Sequence, residues 1–141
     1  MSLRISGAIV VAGISFALAG CFGPRYTDST VTGVLMIGGE PAPEGIRVTF
    51  SPTAPDSSSS YARTGPGGVY ELWFNAGKKG ANSGENVVTC GVPMQFDDKG
   101  EAFLPDDLKA IRKSLIDPKT RQPKEVIVTV EKGPNELQLE F

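Results

Sequence analysis

From Ser29 onward, apolar and polar residues alternate in short runs separated by Gly, Pro, Asn and Asp clusters, the pattern of strands buried on one side. "STVTGVLMI" sets Val31, Leu35 and Ile37 on one face, with Gly33 between them. "GIRVTFSP" turns Ile46, Val48 and Phe50 inward and leaves Arg47, Thr49 and Ser51 toward water. Between these runs "GGEPAPEG" reads as a turn, and "SPTAPDSSSS" as a long polar loop before a brief strand at residues 61–64. "GPGGVYELWF" then alternates Tyr70, Leu72 and Phe74 inward, so Trp73 points the other way with Val69 and Glu71. "GENVVTCGV" aligns Val88, Cys90 and Val92. The last runs, "EVIVTV" and "NELQLEF", alternate Val126, Val128 and Val130, then Leu137, Leu139 and Phe141; joined by "EKGPN", they predict a hairpin. The expected class is an all-β sandwich or barrel.

One segment breaks the period. In "LPDDLKAIRKSLIDP", Leu104, Leu108, Ile111 and Leu115 recur at spacings of four, three and four. Pro105 stands near the start, Asp106 and Asp107 occupy the first turn, and Asp117-Pro118 ends the run. These signals predict one short amphipathic helix near residues 104–116, packed over a sandwich edge or presented to a partner. If it covers the outer sheet face, Trp73 is buried against Leu108 or Ile111; if not, an aromatic stands exposed beside Glu71.

The first twenty residues, "MSLRISGAIVVAGISFALAG", have a different organisation: one basic residue, an apolar run, then small residues before Cys21. This is the order of a bacterial secretory signal. The apolar run is interrupted by Ser6, Gly7, Gly13 and Ser15 and is shorter than the roughly 20 residues needed to span a bilayer. "LAGC", Leu18 to Cys21, resembles the lipobox of bacterial lipoproteins. That resemblance implies cleavage before Cys21, diacylation of its thiol and further acylation of the new amino terminus, such as by palmitate. Two or more chains hold a protein stably where one is marginal. The expected organisation is a signal peptide at 1–20, a tether at 21–28 and a single domain at 29–141. The protein is then exported and held to a membrane on the periplasmic or cell-surface side. If Cys21 is acylated, Cys90 has no disulfide partner, and its alternating neighbours make it a small buried hydrophobe in preference to a reactive thiol.

With the strands in place, "VTGVLMIGGEPAPEGIRVTFSP", "TGPGGVYELWF" and "SGENVVTCGV" resemble the carboxypeptidase regulatory-like domain. The matching positions are Val31 and Gly33; Pro43, Gly45, Val48 and Phe50; Gly68, Tyr70 and Leu72; and Gly84, Val88 and Cys90. The resemblance implies a transthyretin-like (prealbumin-like) Greek-key sandwich of about seven strands, and it carries no catalytic residues. The chain departs from the pattern at "TGPGG", where an Asp-containing turn is usual, and at Asn86, where an aromatic is usual. Small bacterial lipoproteins containing only this domain are similar over nearly the whole mature chain.

Composition narrows the chemistry. The chain has no histidine, which removes Ser-His-Asp and Cys-His triads and histidine-bearing zinc sites. Loss of residues 1–20 removes Arg4, so fourteen basic residues become thirteen against sixteen acidic ones, a net charge of −3. With no basic stripe, nucleic acid is not an expected partner. Paired carboxylates for a small hydrolase would come from Glu71, Asp97, Asp98, Glu101, Asp106 and Asp107, but turns and the helix start account for all except Glu71. "FDDKGEAF" offers oxygen ligands without calcium-loop spacing and reads as a turn. No phosphate-binding loop is present. The expectation is a non-enzymatic structural or binding protein of the cell envelope, without cofactor or metal. Its partners are the membrane, through Cys21, and a glycan or envelope protein met by Trp73 and Glu71.

Overall fold

The structure, a computed structural model, describes residues 28–75 and 77–141. The segment expected to be a signal peptide, most of the expected tether and Cys21, the expected lipidation residue, lie outside the described residues. The chain forms an all-β sandwich with one short helix. Its elements are β1 (Ser29–Ile37), β2 (Glu40–Pro41), β3 (Arg47–Pro52), β4 (Ser60–Arg63), a 3-10 turn (Pro66–Gly68), β5 (Val69–Glu71), β6 (Trp73–Asn75), β7 (Lys78–Lys79) and β8 (Gly84–Gly91). There follow β9 (Gln95–Phe96), β10 (Ala102–Phe103), α1 (Asp106–Ser114), β11 (Val126–Val130), β12 (Gly133–Glu136) and β13 (Leu139–Glu140). Strand segments outnumber the seven expected because turns and a bulge divide longer runs into pieces of two or three residues.

One sheet has the order β11-β8-β3-β4-β6-β7 and is antiparallel throughout. The other is built around β1, which pairs parallel with β12 and β13 and antiparallel with β2 and β5. The chain passes between the sheets from β2 to β3, from β4 to β5, at Leu72 between β5 and β6, and from β11 to β12. The alternation read from the sequence holds at the core. Val31, Leu35, Ile46, Val48, Phe50, Tyr70, Leu72, Val88, Val130 and Leu139 are all buried, filling the space between the sheets.

The predicted hairpin at the carboxy terminus is not formed. β11 pairs with β8, whereas β12 and β13 pair with β1 in the opposite sheet. "EKGPN" is a bridge across the sandwich and not a tight turn within a sheet. Gly133 takes φ 91°, and Asn135 closes the bend through its side chain, accepting from Glu131 N–H at 2.9 Å and donating to Glu131 C=O at 2.8 Å. Asn135 also donates to the Thr30 carbonyl at 3.1 Å, fixing the bend against β1.

The centre of the β1 sheet explains why a glycine and a tyrosine stand where they do. Leu137, between β12 and β13, donates its N–H to Thr32 C=O at 2.8 Å, and its own carbonyl points at Gly33. That carbonyl accepts the Tyr70 hydroxyl at 2.7 Å. Tyr70 is 1% exposed, and its ring lies 6.4 Å from that of Phe50, tilted by 42°. Tyr70→Phe removes the donor to this part-buried carbonyl and is expected to cost about 1 kcal/mol, readable as a lower urea midpoint. Cys90 is a free, buried thiol in this core, and burial pushes it up to about 12. Burial, and to a lesser degree the neighbouring Cys90, likewise raises the Tyr70 phenol.

The helix forms as the sequence predicts, with Pro105 at its N-cap, Asp106 and Asp107 in the first turn, and Arg112 and Lys113 in the last. Leu115 enters the core, Ile111 packs against it, and Leu108 is buried. The helix does not bury Trp73, which is 40% exposed. Among the described residues no helix is long and apolar enough to cross a membrane.

The two ends of the sandwich differ. Ser29 starts β1 beside Ala81 and Gly133, next to the beginning of β8. Arg47 stands at the other end of β8, opposite Gly91.

Candidate functional site

The outer face of the six-stranded sheet carries side chains that the alternation turns away from the core. Tyr61 on β4 is opposite Trp73 on β6, and both are exposed. One row along, Arg47 on β3 is opposite Arg63 on β4. These positions are held from beneath by Thr64, which is 3% exposed. Its backbone N–H donates to Ile46 C=O at 2.9 Å and its carbonyl accepts from Gly45 N–H at 2.8 Å. Its hydroxyl accepts from Ile46 N–H at 2.9 Å and donates to Pro43 C=O at 2.6 Å. The start of β3 and the end of β4 are thereby locked in the register that sets the two arginines side by side.

Trp73 is held as well. The Lys79 ammonium lies 5.4 Å from the centre of a Trp73 ring, within cation–π range, and pairs with the Glu71 carboxylate at 2.8 Å. Glu71 thus contributes to the site through Lys79. It lies on β5, in the other sheet, and its carboxylate is occupied.

Two open hollows flank the arginine pair. One, of about 650 Å³, is lined by Arg47, Tyr61, Ala62, Arg63 and Trp73. The other, of about 450 Å³, shares both arginines and is walled by Val92, Pro93, Met94 and Phe96. Phe96 belongs to the β9–β10 hairpin and is 68% exposed. The hairpin turns on Asp97, whose carboxylate accepts from Lys99 N–H at 2.9 Å and Glu101 N–H at 2.8 Å. "FDDKGEAF" is therefore a turn whose first carboxylate is already satisfied by backbone.

No carboxylate lines either hollow. Asp106 is paired with Lys109 at 2.7 Å at the helix start, Asp97 is in its turn, and Glu71 is with Lys79. The arrangement offers flat aromatic surface beside two positive charges.

No family model matches this chain, and no curated protein matches it. Among solved structures it is similar to a 9R-lipoxygenase from Cyanothece PCC8801, at 16% identity and a TM-score of 0.33. That match covers 79% of this chain but 15% of the lipoxygenase chain.

Of the two residues singled out from the sequence, Trp73 stands on the exposed face and Glu71 supports it from the sheet edge. Arg47 was legible as an outward position. Tyr61 and Arg63 follow from alternation along β4, but their pairing with Trp73 and Arg47 depends on strand register, which alternation does not encode.

Proposed function

We propose that this chain is an exported, lipid-anchored β-sandwich protein with a non-enzymatic binding role at the bacterial cell envelope, using the outer face of β3, β4 and β6. The anchor rests on "LAGC" at the end of an apolar run. The binding role rests on one observation: Tyr61 and Trp73 stand paired and exposed over an open hollow edged by two arginines. We further assign the sandwich a transthyretin-like Greek-key topology, on the resemblance to the carboxypeptidase regulatory-like domain. The roles of Gly33 and Tyr70 around the Leu137 carbonyl give two residues of that resemblance a physical purpose.

The chain has a single tryptophan, so its fluorescence reports on this face alone. Emission is expected to be red-shifted, quenchable by acrylamide, and altered by envelope fragments. A blue-shifted, unresponsive signal would overturn the binding role. Cys21→Ser is expected to move the protein from the membrane to the soluble fraction; an unchanged membrane-bound, processed protein would overturn the anchor.

A further inference from the structure

We infer that the ligand of this face is an acidic glycan, whose carboxylates sit over Arg47 and Arg63 while its sugar rings lie against Tyr61 and Trp73. The inference rests on the binding role proposed above and names its chemistry. The two arginines are directly opposite on neighbouring strands. Like charges so placed repel, and among the described residues neither guanidinium has an ion-pair or hydrogen-bond partner. An anion between two guanidinium forks removes that repulsion and gains charge-assisted hydrogen bonds in a geometry that suits a carboxylate.

Both hollows share the arginine pair, so a chain passing from one to the other crosses the positive charge midway. On the Trp73 side the indole is already oriented by Lys79 and Glu71, which lowers the cost of ordering it on binding. On the other side Met94 and Phe96 supply further apolar surface. A repeating polymer with alternating ring and charge fits this layout. An extended acidic peptide fits it less well: the sheet edge beside Trp73 is β7, two residues long, which is too short to add a strand. The hollows are open and lined by flat rings, unlike the pockets that hold individual peptide side chains.

The test is a fluorescence titration of the full chain in detergent solution with trigalacturonate, galactotriose and triglutamate. Trigalacturonate is expected to change Trp73 emission saturably and to bind about tenfold or more tightly than neutral galactotriose, with affinity falling as salt rises. Arg47→Gln and Arg63→Gln are each expected to erase that preference. Arg63→Gln should melt at or above the parent temperature, because it relieves the opposed charges; this separates lost binding from lost folding. If galactotriose binds as tightly as trigalacturonate, or the variants keep the preference, the acidic ligand is overturned while the binding face stands. Triglutamate binding in place of both sugars overturns the glycan. Emission unmoved by all three and by envelope fragments overturns the binding role itself.

Discussion

Gly33→Ala is expected to destabilise the domain by about 3–5 kcal/mol, at the severe end for a single methyl group. A Cβ on Gly33 would fall 1.8 Å from the Leu137 oxygen and 2.7 Å from its carbonyl carbon, with the Tyr70 hydroxyl 3.0 Å away. The nearest atoms are backbone, held by Leu137 N–H to Thr32, so relief requires moving the parallel partner strands away from β1. That movement also stretches the Tyr70 hydrogen bond. Urea unfolding measures the loss. Gly91→Ala is the control: it lies at the end of β8 with nothing within 4 Å of its added Cβ, and its stability should change by no more than about 0.5 kcal/mol. Equal effects at the two glycines would refute the close approach at Gly33.

The second large effect is on alkaline stability. Cys90 and Tyr70 are neutral when protonated, and burial favours that form, so the folded state holds both protons more tightly than the unfolded chain does. Stability from these groups is fully present below about pH 7.5, where even the unfolded chain keeps both protons. It falls as pH rises, first for Cys90 from near 9 toward its folded value of about 12, then for Tyr70 from near 10. Each group withdraws about 1.4 kcal/mol per pH unit over its window, so by pH 11 the pair has removed about 4 kcal/mol. Urea midpoints measured from pH 8 to 11 should fall accordingly. Cys90→Ala should flatten the first part of the fall and leave the Tyr70 part. A profile identical in parent and variant would mean that Cys90 titrates alike in both states.

The core was legible because burial on one side imposes a period of two, and every inward residue named from Val31 to Phe50 obeys it. The helix was legible because Leu108, Ile111 and Leu115 keep a different period between recognisable end signals. Pairing partners were not. Alternation in "EVIVTV" and "NELQLEF" states which side of each strand is buried and says nothing about which sheet receives it. The same limit hid the site: Arg63 and Tyr61 acquire their meaning from the β3–β4 and β4–β6 registers, and Thr64 sets the first of these through bonds to residues about twenty positions away. Whether the helix covered Trp73 turned on tertiary placement, which its own amphipathic pattern leaves open.

The opposite placement of the chain's entry and the arginine pair gives the domain a height. β8 has eight residues, and its seven steps of about 3.4 Å separate its two ends by about 24 Å. With the proposed anchor at Cys21, a stretched tether of residues 21–28 adds up to about 28 Å. On that proposal the domain would act as a mast, joined to the tether where β1 begins and carrying Arg47 and Arg63 at the end away from it. An acidic polymer gripped there would be kept at a bounded distance from the bilayer, and tether length would set that spacing.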